Sequence, residues 1–417
     1  MFTYWHRAYL VAYENMLRDL HPRFACVTVP FWDWVTDHSN FSTGKCANML
    51  ECSPSLGFVG GRPPVAQGKR NVTINNVPIE GYCADTYPLN HFCQDSLSSG
   101  AQCVKCVPRG DWANASFPAV ASYASVRSQI FGSKNIGEMS VAIEVGPHNN
   151  IHGELDGAMG FNQSPSDIIF WSHHAMVDLL HSIFHKCKVG EQRMTFQQKA
   201  TSVDWTSCRR RNSTVEFQPT DEIVMRTGFN GTNLVNASED PLVGKYFRAV
   251  PLQYAAVVDI RDLGESSYTY ELDGLLGSMF TECAASAKQL PAQQKQSAMQ
   301  VESVPEAPQS ADAAKQPPTM ASLLINTTSS ASQAVQKFVN TTDAIVLSQG
   351  GNALLKAEKM ACLYQDQCLG GVTTYSAEFK KRFGIEGEPR CKQIVDQIYA
   401  DTDAHKTAEW MSWTVEM

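Results

Sequence analysis

Residues 147–178 read PHNNIHGELDGAMGFNQSPSDIIFWSHHAMVD. His148 and His152 stand four apart, and the pair His173-His174 follows with Asp178 four residues beyond it. Imidazoles at i and i+4 of a helix lie one above the other on one face. That spacing lets two ring nitrogens reach one metal ion, and a third imidazole from a second helix closes the site. The second pair lies in a run apolar on all sides, with Ile168, Ile169, Phe170 and Trp171 before it and Ala175, Met176, Val177, Leu179 and Leu180 after it. Such a helix is buried, which argues against polar residues on a solvated face. An imidazole set with no thiolate or carboxylate suits copper or zinc rather than magnesium or calcium.

Other groups compete for chemistry. His174, Asp178, His181 and His185 share a stripe, so His181 with His185 is a rival ligand pair; positive groups near a helix C-terminus are its bland account. His174 is preferred because it abuts the Ser-Pro-Ser-Asp turn and the apolar run. Glu144, four residues before His148, stands among Val141, Ala142, Ile143 and Val145. A carboxyl there has a raised pKa and can hold a water or act as a base, or it is a surface glutamate at a helix entry. His6 lies beside an apolar stripe and by itself reads as a core histidine. Asp33, between Trp32 and Trp34, needs a partner if buried, and Arg7 is one candidate.

The elements that must position these groups are mostly helical. Phe2, Trp5, Tyr9, Ala12, Tyr13, Met16, Leu17 and Leu20 recur at three and four, which predicts a helix over 2–20 ended by His21-Pro22. Residues 26–34 read as a short buried run. Residues 119–134 predict a helix ending near Gly132. Residues 38–120 read as loop-rich, cysteine-stapled and without chemistry. Tyr268-Thr269-Tyr270 reads as strand. Residues 284–320, rich in Gln, Ala, Ser, Pro and Lys, predict a flexible linker. Residues 1–283 then form the core, and residues 321–417 a small helical unit braced by some of Cys362, Cys368 and Cys391.

Composition bounds the function. The 417 residues are 43% hydrophobic and 18% charged, with net charge −8. No basic field for nucleic acid exists, and no apolar run is long enough to predict a membrane span. Of 13 cysteines, six fall between Cys46 and Cys106. Cys103-x-x-Cys106 lacks a second pair at zinc-site spacing, so disulfides are expected, with at least one thiol left over. Sequons occur at Asn40, Asn71, Asn114, Asn162, Asn212, Asn230, Asn236, Asn326 and Asn340. Together these predict a secreted glycoprotein. Nothing in the sequence sets an oligomeric state.

The segments FTYWHRAYLVAYE (2–14), VPFWDW (29–34), 144–178 as a whole and Tyr268-x-Tyr270 together resemble the tyrosinase family of type-3 copper proteins. The resemblance covers residues 1–275. It implies a mainly α fold: a four-helix bundle with loop-rich, disulfide-stapled insertions, here followed by the helical C-terminal unit. It implies two coppers held by six histidines, with dioxygen bound between them, hydroxylating monophenols and oxidising o-diphenols to o-quinones. Carried over by position, His148, His152 and His174 are the copper-B ligands and His6 is the last copper-A ligand. Glu144 and Asn149 match the pair that deprotonates a monophenol through a water. Gly153 leaves the site mouth open. His173, Asp178 and Asp33 support the ligands or the backbone near them. The family places two more copper-A histidines before the Trp-His-Arg motif, whereas five non-histidine residues precede His6 here; His21, His38 and His91 do not fit the pattern. The expectation is a sequence missing its natural start, with one copper site complete and activity in doubt. A hemocyanin-like oxygen carrier and a metal-poor, non-catalytic relative are the competing expectations.

Overall fold

The computed structural model describes residues 1–210, 213–228, 233–284, 330–348 and 351–400. The first helix, α1, runs from Phe2 to Asp19 and buries Tyr4, Ala8, Val11 and Ala12. After it the chain stays half-exposed until Trp32, so the buried run expected from residue 26 begins only there. Asp33 caps α2 (Trp34–Ser42), its carboxylate accepting the Thr36 N–H at 2.9 Å. The expected bond from Arg7 is absent, because a free helix N-terminus already supplies Asp33 with a donor.

The cysteine-rich segment carries more order than expected. Strands β1 (Arg70–Ile74), β2 (Val77–Ala84) and β3 (Val107–Arg109) form an antiparallel sheet in that order, with Arg70 opposite Gly81 and Tyr82 opposite Arg109. Disulfides Cys46–Cys52, Cys83–Cys106 and Cys93–Cys103 staple it. The Cys-x-x-Cys pair is thus divided between two bridges. Cys187–Cys283 closes a longer loop, and Cys26, Cys208 and Cys368 are free.

Next come α3 (Tyr123–Phe131), started by the Ser122 hydroxyl and ended at Gly132, and α4 (Ile136–Ile143), capped by Asn135. A single π turn over Glu144–His148 joins α4 to α5 (Asn149–Leu155). Pro147 lies inside it and has no N–H to give the ladder. Gly146 takes φ −90°, ψ −116°, and a Cβ there would stand 2.3 Å from the Gln129 Oε1. The long helix α6 (Ile169–Lys188) follows, buried along nearly its whole length. Helices α1, α3, α6 and the broken α4–α5 pack on one another as a four-helix bundle. Ring contacts tie α1 to α6, with Tyr13 stacked on Trp171 at 3.5 Å.

Residues 268–270 pair with no strand among the described residues; both tyrosine hydroxyls are instead anchored to α6. α7 (Gly274–Glu282) follows. The expected linker, apart from Ala284, lies outside the described residues. α8 (Ser330–Ser348), α9 (Ala353–Cys368), α10 (Ala377–Phe383) and α11 (Arg390–Ala400) come after it, with Cys362 bonded to Cys391. These helices lie against the bundle, α9 on α3 and α8 on α2. The contact is polar as well as apolar. Arg127 pairs with Asp343 at 2.7 Å, both buried, and Ser125 and Arg390 converge on Glu358. Among the described residues no helix is long and apolar enough to cross a membrane.

Candidate metal centre

The broken helix and α6 bring four buried imidazoles together. One ring nitrogen from each of His148, His152, His173 and His174 lies within 4.8 Å of all the others. His148 and His152 come from successive turns around the start of α5, and His173 and His174 from the second turn of α6. His6 on α1 stacks flat on His174, with centroids 4.0 Å apart. The Phe2 ring fills the gap beside His6 and His148, 4.6 Å from each.

Hydrogen bonds fix which nitrogens face inward. His152 Nδ1 donates to the Met159 carbonyl at 2.6 Å, and His6 Nδ1 to the Phe2 carbonyl at 2.9 Å. His148 Nδ1 donates to Asn149 Oδ1 at 2.9 Å. Each of these rings is therefore left with a bare Nε2. His152 Nε2 and His174 Nε2 come within 3.4 Å, so a proton or a cation must stand between them. Nδ1 of His174 and both nitrogens of His173 are buried with no hydrogen-bond partner. Orphaned buried nitrogens are costly unless something binds them.

Burial and mutual repulsion keep these rings neutral. Burial pushes His6 down to about 3 and His152 down to about 4. His148, His173 and His174 lie well below the ordinary imidazole range, from burial first and then from their neighbours' charge. Neutral imidazole is the state a metal needs.

The supporting residues differ in part from expectation. Asp178 is a hub. Arg7 donates to it at 2.5 Å, and the hydroxyls of Tyr268 and Tyr270 donate at 2.6 and 2.7 Å. Arg7 also holds the carbonyls of Val257 and Val258. The network fixes α6 against α1, with His6 and His174 each within one turn of it. His173 supports nothing through a hydrogen bond; it joins the cluster instead. Asn149 spends its carbonyl on His148. Burial raises the pKa of Glu144, which sits at the start of the π turn. His181 and His185 both bond to the buried Asp204, at 2.9 and 2.5 Å; that carboxylate, rather than a metal or the helix dipole, explains them.

Two features were not legible beforehand. Arg109 of β3 clamps Asp167 with two bonds of 2.7 Å, both side chains fully buried. The stapled segment thus holds the turn that launches α6; only a lone arginine in an apolar strand hinted at it. The second is the cover. Phe379 of α10 lies 3.9 Å from where a Cβ on Gly153 would be, and Phe383 lies 6.4 Å from the His152 ring. The mouth expected to stay open at Gly153 is roofed by α10.

A buried cluster of neutral imidazoles within a helical bundle is a donor set that could hold a metal ion. Sequence comparison narrows the class. The profile of the common central domain of tyrosinase matches residues 1–186. The tyrosinase of Streptomyces antibioticus is 28% identical over 187 residues, covering 43% of this chain and 60% of that protein. The tyrosinase of Streptomyces glaucescens is 27% identical over 185 residues, covering 43% and 60%. A tyrosinase-like protein of Diaporthe leptostromiformis, phomQ2, is 24% identical over 247 residues, covering 58% and 57%. The chain thus spans no more than 60% of the length of these curated relatives. No solved structure matches it. Residues 1–186 are thus similar to the central domain of the tyrosinase family. That family implies copper, and bare imidazole nitrogens with orphaned neighbours fit such an ion.

Proposed function

We propose that His148, His152 and His174 hold one copper ion, that His6 serves the neighbouring ion of a pair, and that the protein oxidises phenols with dioxygen. Monophenols are hydroxylated and o-diphenols become o-quinones. The single observation that carries this reading is the convergence of buried, neutral imidazoles. Bound copper would supply the activation of dioxygen. The chain's own residues do the rest. Asn149, Met159 and Phe2 hold ring planes, and Asp178 with Arg7 keeps α1 and α6 in register. Glu144, its pKa raised, takes the phenol proton. The disulfides and sequons support a secretory route.

Reconstitution with copper tests the centre: at least one ion per chain is expected, with several nitrogen donors by electron paramagnetic resonance. Less than one ion per chain would sink the proposal in favour of a metal-poor relative. The roof of Phe379 and Phe383 favours one rival, an oxygen carrier that bars phenols. Oxygen uptake with quinone formation from a diphenol supports the oxidase, and uptake without quinone supports the carrier.

A further inference from the structure

Helix α10 and the strap before it do more than cover the centre. Tyr375 is 7% exposed. Its hydroxyl donates to the carbonyl of Val145, inside the π turn, and accepts from Asn150 Nδ2 at 2.8 Å. The second N–H of Asn150 goes to the Gly146 carbonyl at 2.7 Å. The two side chains thus close a ring of bonds around residues 145, 146 and 150. Tyr375 spends its one donor there and Asn150 spends both of its own.

The clamped segment is the least regular part of the site. It contains Pro147 and the non-helical Gly146, and it carries Glu144 at one end and His148 at the other. A π turn leaves carbonyls that the ordinary ladder does not hold. Here one of them is held by a residue more than two hundred positions away. Tyr375 also begins a row of rings. It stacks on Phe379 at 5.5 Å, and Phe379 meets Phe383 at 4.5 Å. The row runs from the π turn to the His152 ring.

We propose that Tyr375 is a positioning residue of the metal centre, fixing the π turn that aims Glu144 and His148. The C-terminal unit is then a brace for the ligands as well as a roof, and docking it tightens metal binding. The consequence for copper rests on the function proposed above, but the clamp itself does not.

Two readouts on the full chain keep these apart. In metal-free protein, Tyr375→Phe is expected to speed amide hydrogen exchange across residues 145–150 at least tenfold, with exchange in α9 unchanged. Copper affinity is expected to fall roughly 10- to 100-fold, the usual cost of losing a group that orients a ligand. Thr373→Val, which removes a neighbouring strap contact with Glu154, is expected to change neither. Unchanged exchange at 145–150 in Tyr375→Phe overturns the clamp. Faster exchange there only together with α9 also overturns it, since that is general undocking. Failure of the wild-type chain to bind copper would instead count against the proposed function and leave the exchange result to judge the clamp.

Discussion

Asp178 accepts from Arg7, Tyr268 and Tyr270 at once, and the residue scale is where its importance is tested. Arg7 and Asp178 are both wholly buried. Removing one charge of such a pair leaves the other uncompensated, which costs about 3–5 kcal/mol. Asp178→Asn is expected to lower the urea unfolding midpoint by a corresponding amount and to weaken copper uptake through the shifted α6. An unchanged midpoint would show that the tyrosines and backbone carbonyls alone hold Arg7. The i, i+4 spacing of His148 and His152 and the His-His pair were readable because helical periodicity fixes which side chains share a face. The tie of Asn149 to the His148 ring was not readable, since it depends on a rotamer set by the π turn. Asp33 looked like a partner for Arg7 because both are polar in apolar company. Its real role, a helix cap, follows from where α2 begins.

At the scale of elements, α10 covers the histidine cluster. Phe383 faces His152 from the roof, and Phe379 lies over Gly153. Phe383→Ala is expected to make removal of copper by a chelator several-fold faster, followed by the loss of its absorbance, while the unfolding free energy falls by no more than ~2 kcal/mol for a partly buried ring. No change in stripping rate would mean that copper leaves by another route. The longest disulfide loop sets a second test. Cys187–Cys283 joins the end of α6 to the end of α7 across 96 residues. Cys283→Ser is expected to cost about 2–5 kcal/mol, mainly by freeing the unfolded chain, measured by denaturant titration. The stapled segment shows why elements were harder to read than motifs. Its strands are short and interrupted by Pro and Gly, so alternation gave little signal, yet β3 carries the Arg109 that holds Asp167.

For the whole molecule the strongest lever is pH. The cluster imidazoles titrate lower in the folded chain than the ordinary 6.5, with His152 at about 4 and His6 at about 3. Unfolded chain therefore binds more protons than folded chain as pH falls below 6.5, and stability is lost in that direction. A tenfold weaker hold on the proton in the folded chain is worth about 1.4 kcal/mol per imidazole. Metal-free protein is expected to be stable at neutral pH and to lose stability steeply between roughly pH 6.5 and 4. Copper should move that loss to lower pH, because it competes with protons for the same nitrogens. Urea midpoints across pH, with and without copper, check both. A flat profile in the metal-free chain would mean that the imidazoles are not buried in solution.

The sequence by itself determined the histidine-bearing faces, the helical class and the cysteine-stapled character, because periodicity, spacing and residue chemistry are local properties. It also carried the family resemblance, since short motifs at residues 2–14 and 144–178 survive where overall identity is low. Only the tertiary structure decided which imidazoles meet, that His173 joins them, that His181 and His185 serve Asp204 instead, and that a strap and helix from beyond residue 370 contact the π turn and roof the cluster. Those outcomes depend on contacts between residues far apart in the chain, and such contacts are fixed by packing rather than by any pattern along it.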